Sequence, residues 1–220
     1  MKHRSATLSL AEALTVTILI IGSLALNERV DWPGRWLGGP SLLMAGSLIP
    51  TLLRGGPLGD LGLRPGRLRQ TVRLTCVAGV VLLVLGLGGV SVLPHIGMEV
   101  PLRPPEPEDK WVQWILFQYL YAAFPEELFF RGYLIGGIMY SLRPATGRDV
   151  LRPQYVAVLV SAADFAFSHT LVLGNAAGIV TLFPGLVFAW LFARTGSLVG
   201  PILLHGTANV GYGLIGMGFA

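Results

Sequence analysis

The sequence predicts an all-α polytopic membrane protein, about seven transmembrane helices around a buried cavity, and three observations carry that prediction. Hydrophobic residues make up 53% of the 220 and charged residues only 13%, where a soluble domain carries about 25% charged. The mean hydropathy is +0.65. The apolar residues fall in long blocks, and the Lys and Arg residues gather in the short stretches between them. No soluble-sized stretch separates the blocks, so residues 1–220 read as a single integral membrane domain. Within it, 1–110 holds the less characteristic N-terminal spans and 111–220 a helical core that carries the polar motifs discussed below.

A bilayer core of about 30 Å needs roughly 20 apolar residues in a helix rising 1.5 Å per residue. Spans are expected near 8–26, 36–53, 74–93, 111–141, 156–173, 175–193 and 198–219. The second is the weakest, because Gly38, Gly39, Pro40 and Pro50 interrupt it. The fourth, at about 31 residues, is too long for one straight crossing and has Pro125 in its middle, so it is expected to kink or project. Lys2, His3 and Arg4 precede the first span, which is too long for the h-region of a usual signal peptide and reads as an uncleaved helix. Residues 61–73 set Leu61, Leu63, Leu68 and Val72 among arginines. They read either as a segment lying along headgroups or as an ordinary basic loop.

Orientation follows from the basic residues. With the N-terminus cytoplasmic, eleven of the sixteen Lys and Arg fall on the inner side and four outside, with Arg131 inside a span. That asymmetry places the N-terminus in the cytoplasm and the C-terminus outside. The connection from Pro94 to Lys110 is Pro-rich and acidic (Glu99, Glu106, Glu108, Asp109), as suits a solvated outer loop. Short loops and the lack of retention signals favour a bacterial inner membrane. The pI of 9.6 is therefore assigned to topology and not to nucleic acid. A lone cysteine, Cys76, excludes an internal disulfide framework and any paired-Cys metal site. Small-xxx-small pairs such as Gly132 with Gly136 are expected by chance among 29 glycines and identify nothing.

Charge inside a span costs about 2.5 to 3.5 kcal/mol per residue, so it needs a partner or a task. The fourth block contains Glu126, Glu127 and Arg131. Glu127 and Arg131 are four apart, share a helix face and can pair; Glu126 is turned about 100° away and is left without a local counterion. The fifth block carries Phe165 and His169, the seventh His205 and Asn209, again four apart. An acid, a histidine and a His/Asn donor pair on three spans suffice to activate a water and stabilise a tetrahedral oxyanion. Asp164 and Glu12 are read as structural, Asp164 as a further partner for Arg131 and Glu12 as reaching headgroups. Counting residues puts Glu126 and His205 about 10 and 12 Å from the inner side, but His169 about 22 Å from it. The fifth helix must then start later, near Val160, or be tilted or broken.

In order and spacing these segments resemble the CPBP family, the CAAX proteases and bacteriocin-processing enzymes that include the type II CAAX prenyl endopeptidases. The family pattern Glu-Glu-xxx-Arg, Phe-xxx-His, His-xxx-Asn stands here as Glu126, Glu127 and Arg131, Phe165 and His169, His205 and Asn209. Similar neighbours are 129–134 (Phe-Phe-Arg-Gly-Tyr-Leu), Arg194 to Leu198, and Leu61-Gly62-Leu63-Arg64. The resemblance implies an intramembrane endopeptidase of the glutamate type acting on a membrane-anchored or lipidated polypeptide. In it Glu126 is the general base, His169 orients the water, and His205 with Asn209 forms the oxyanion hole. Glu127 with Arg131 positions its neighbour, with Phe165 in support. The opening is expected near the cytoplasmic leaflet.

No metal is favoured, because the histidines lie on different spans and no His-Glu-xx-His helix is present; a zinc, if bound, would take Glu126, His169 and His205. Two other classes compete. A non-proteolytic scaffold or immunity protein would use the polar cluster only to hold helices together. A proton-coupled transporter is disfavoured because no inverted repeat is visible.

Overall fold

The computed structural model describes residues 6–64, 66–97, 110–142 and 151–218. The charges Lys2, His3 and Arg4, the acidic connection at 98–109 and the basic loop at 143–150 lie outside the described residues. Among the described residues every regular element is helical. Five helical segments are each long and apolar enough to cross a membrane, consistent with an integral membrane protein.

Helix α1 (Ala6–Arg29) and α2 (Arg35–Leu53) form an antiparallel pair. Their turn is clamped by Asn27, which donates to the Arg35 carbonyl at 3.0 Å and accepts from the Trp32 indole at 3.2 Å. Gly38 permits this, since a Cβ there would collide with the Asn27 amide. Despite Pro40 and Pro50, α2 runs as one helix. The weakest span by composition is thus intact.

Helix α3 (Leu68–Val92) leaves most of its surface outward, as a lipid-facing helix can. Its inner stripe, at Ala78, packs with Phe188, Leu191 and Leu204 further along the chain. Helix α4 occupies 111–141 and is the central element. Its α-helical ends are Trp111–Leu116 and Gly136–Ser141. Between them two wide-wound π stretches, Phe117–Ala123 and Leu128–Ile135, flank one α turn, Phe124–Glu127. Pro125 has no N–H to offer the preceding turn, and the wider winding before it absorbs the missing bond. That winding, more than a sharp kink, accommodates the long fourth block. Every residue from Leu128 to Ile135 is buried, so α4 is enclosed by its neighbours on all sides at this level.

Helix α5 (Leu151–Leu173) is continuous, starts well before Val160 and is not broken. A 3₁₀ segment (Ala176–Thr181), capped by the Asn175 side chain, leads into α6 (Leu182–Thr195). Gly196, in the left-handed region at φ 62°, ends α6 and turns the chain into α7 (Val199–Gly218).

One end of the bundle gathers Arg54, Arg64, Arg67, Arg69, Arg73 and Arg194; the other gathers Trp32, Trp36, Trp111 and Trp114. At the basic end, residues 58–64 are neither a headgroup-hugging segment nor a loose loop. Leu61 is buried, its carbonyl 2.7 Å from where a Cβ on Gly132 would sit. Leu198 donates its N–H to the Gly62 carbonyl at 3.0 Å, and the Ser197 hydroxyl donates to the Arg64 carbonyl. The two family-like stretches at 61–64 and 194–198 therefore meet and close this end beneath α4. Glu12 pairs with Arg54 at 3.5 Å.

Candidate active site

The α turn between the two π stretches presents both glutamates to α5 and α7. Glu127 is fully buried and lies 3.2 Å from Arg131 Nε, the pairing expected from their spacing. Arg131 also donates to the Gly185 carbonyl at 3.2 Å. Three rings enclose its guanidinium, with centroids 4.4 Å (Phe165), 5.4 Å (Phe188) and 5.8 Å (Phe130) from Cζ. A buried cation is tolerable there because a carboxylate, a carbonyl and three ring faces replace water. Asp164 is not one of its partners among the described residues, which corrects that expectation. It sits beside Phe165, about 100° around α5 from the ring that covers Arg131.

Glu127 has a second partner that spacing alone did not reveal. Its Oε1 is 2.8 Å from Nδ1 of His205, across 78 residues. His205 is buried, stacks on Phe188 at 4.8 Å and meets Phe165 edge-on at 5.7 Å. His169 places Nδ1 2.9 Å from the Phe165 carbonyl and packs its ring 4.3 Å from the Phe165 ring. Phe165 thus touches both imidazoles and the guanidinium. Phe188 was missed because one more Phe in an apolar run gives no signal of its own.

In both histidines Nδ1 faces an acceptor, so it carries a hydrogen and Nε2 is the atom presented inward. Each Nε2 lies 3.8 Å from the same oxygen, Glu126 Oε2. That oxygen is shut off from solvent and has no hydrogen-bond partner among the described residues. A separation of 3.8 Å is too long for a direct bond and suits a shared donor between the three atoms. The depth conflict for His169 disappears in the geometry. Ser161 bonds the Phe130 carbonyl at 2.8 Å, so from that level His169 is only about 6 Å further along than Glu126 at 1.5 Å per residue. Side chains lean toward their own helix N-terminus, and in antiparallel helices the two tips lean toward each other.

Asn209 lies one turn beyond His205 on α7 and makes no hydrogen bond among the described residues. Helix α7 is locked to α4 beside it: Thr207 and Tyr119 hydroxyls are 2.8 Å apart, and Gly206 lies so close to the Tyr119 ring that a Cβ would overlap it. The donor set of two Nε2 atoms and a carboxylate is chemically suited to zinc. The spacing is not: 2.0 to 2.1 Å bonds in a tetrahedron put ligand atoms about 3.4 Å apart, and among the described residues no group of three His, Cys, Asp or Glu is arranged to hold a metal ion.

A cavity of about 180 Å³ reaches Glu126 and His169 from one side. Leu24 and Glu28 of α1, Gly39, Pro40 and Leu43 of α2, and Tyr121 complete most of its wall. The exposed Glu28 lies at the tryptophan end. The cavity wall therefore lies toward the end opposite the one gathering the arginines. Residues 58–64 and 196–198 block the arginine end.

Fold and site together define a polytopic all-α membrane protein with a Glu/His cluster buried between three helices. Residues 108–211 match the family model for Rce1-like, type II CAAX prenyl endopeptidases. The match covers a little under half of the chain and spans α4 to most of α7, hence all three motifs. The likeness is to CAAX-type intramembrane proteases in general. No curated protein and no solved structure matches the chain.

Proposed function

We propose that the chain is an endopeptidase that cuts a peptide bond in a lipidated or C-terminally anchored polypeptide, using Glu126 and His169 to activate a water. The observation that supports this reading is the single unpartnered oxygen, Glu126 Oε2, facing two imidazole nitrogens at 3.8 Å. In this reading the water sits between those atoms and His169 Nε2 orients it. Glu126 removes its proton as oxygen attacks the carbonyl carbon, and the same proton leaves with the amine when the C–N bond breaks. His205 Nε2 and the Asn209 amide face the oxyanion, and Glu127 fixes the His205 ring through Nδ1. No step requires a metal.

With the N-terminus in the cytoplasm of a bacterial inner membrane, the cavity opens toward the outer leaflet. That favours a segment whose cleavage point lies in the outer half of the bilayer, such as an anchored or exported C-terminus. The test compares membrane proteomes of cells carrying the wild type and Glu126→Gln. New C-termini that disappear in the variant, at unchanged protein level, support the reading; identical C-termini in the two strains overturn it.

A further inference from the structure

We infer that Tyr121 is a catalytic residue whose hydroxyl donates a hydrogen bond to the scissile carbonyl oxygen; this rests on the peptidase reading above and extends it. Tyr121 shares the cavity wall with Glu126 and His169. Its hydroxyl is closed off from solvent and meets no hydrogen-bond partner among the described residues. Leaving a buried hydroxyl unbonded costs about 1 to 3 kcal/mol, so a persistent orphan at a cavity calls for a partner that arrives with the ligand. The ring is fixed: it stacks on Phe117 at 4.9 Å and on Trp36 at 5.5 Å, with interplanar angles of 24° and 28°. A phenol clamped between two aromatic faces cannot swing away to find water. Winding fixes its placement too, because Tyr121 lies in the π stretch immediately before Pro125, and that stretch sets how the residues ahead of Glu126 face the cavity.

Chemistry points the same way. Of the atoms already at the centre, Glu126 Oε2 and His169 Nε2 serve to hold and deprotonate a water, and His205 Nε2 is assigned to the oxyanion. A tetrahedral intermediate also needs donors aimed at its oxygen. Neither His205 nor Asn209, the donors assigned above, is among the cavity-lining residues, so Tyr121 adds to them a donor on the cavity wall itself. A phenol is a donor of suitable strength that needs no change of charge.

The experiment uses the full chain in detergent micelles with a farnesylated, internally quenched peptide ending in a CAAX sequence. It compares wild type, Tyr121→Phe and Glu126→Gln. Tyr121→Phe keeps the ring stack and removes one oxygen. The expected result is a fall in kcat of about 10 to 100-fold with KM within about twofold, and a melting temperature equal to or above wild type, since an unbonded hydroxyl is lost. Unchanged kcat beside an inactive Glu126→Gln overturns the role of Tyr121 and leaves the peptidase reading standing. A fall in kcat accompanied by a lowered melting temperature overturns it in favour of packing. Turnover that persists in Glu126→Gln, or is absent from wild type, removes the peptidase reading and this inference with it.

Discussion

Glu127 Oε1 lies 2.8 Å from His205 Nδ1, and this one bond joins the first motif to the third. The same carboxylate faces Arg131 at 3.2 Å, so two of the three charged groups on the motif turn are tied to each other and to α7. Glu126, next in sequence, has its Oε2 unbonded. On the reading proposed above, adjacent acids of one type are divided between holding the site and acting in it.

Substitution should separate those roles. Glu127→Gln leaves the Arg131 guanidinium without a countercharge among three rings, which on the scale of broken buried pairs destabilises by about 3 to 5 kcal/mol. Glu126→Gln removes a charge with no hydrogen-bonded partner at Oε2, so its stability stays within about 0.5 kcal/mol of wild type while activity falls by about 10²-fold or more. Thermal melts in micelles beside peptide turnover check both. Equal melting temperatures for the two variants would show that the acids are not divided in this way.

Pairing can also be removed whole. Glu127→Leu with Arg131→Met replaces the ion pair by apolar groups of similar length and should regain most of the stability lost by Glu127→Gln. Activity should stay low, because His205 Nδ1 then has nothing to orient it. A double variant as unstable as the single one, measured in the same melts, argues that the rings require the guanidinium itself.

The seven helical segments were legible because apolar block length is a strong signal, and the motif residues because charge inside lipid is rare. Three relations were not. The cross-chain bond of Glu127 to His205 depends on how α7 is rotated, which no spacing within one helix specifies. The agreement in depth of His169 with Glu126 came from opposite side-chain lean, which residue counting at the Cα ignores. The closed basic end escaped because Leu61 in an Arg-rich stretch reads as surface, whereas the close approach of its carbonyl to Gly132 makes it interior. Asp164 shows the converse error: an acid inside a neighbouring span was read as a partner for Arg131, and the helix phase denies it.

Gly206 makes a sharper packing test than most glycines here. A Cβ at 206 overlaps the Tyr119 ring, so Gly206→Ala should push α7 from α4, part Tyr119 from Thr207 and lower both stability and activity. Overpacking of this kind costs about 1 to 3 kcal/mol. Adding Tyr119→Leu should recover part of it, and a double-mutant cycle on melting temperatures measures the coupling. Strict additivity would mean that the two residues do not touch.

Metal independence is testable directly. If the three convergent atoms hold a water and no zinc, dialysis against a strong chelator such as phenanthroline should leave peptide turnover within roughly twofold of the untreated enzyme, since no ligand bond of a catalytic zinc is lost. Loss of activity that zinc alone restores would replace the glutamate mechanism with a metal one through Glu126, His169 and His205.

Direction of access is the remaining consequence. The cavity is walled by Leu24, Glu28 and Gly39 at the tryptophan end, and the basic end is sealed by the Ser197 and Leu198 bonds to residues 62 and 64. Basic residues face the cytoplasm in most inner-membrane proteins, so the mouth should be reachable from outside intact cells. Replacing Cys76, which is exposed, with Ser leaves a chain free of cysteine. Glu28→Cys in that background should react with a membrane-impermeant maleimide on whole cells, and Arg64→Cys only after the cells are opened. The reverse pattern would invert the topology, place the mouth on the cytoplasmic side and make a cytoplasmic lipidated tail the favoured substrate.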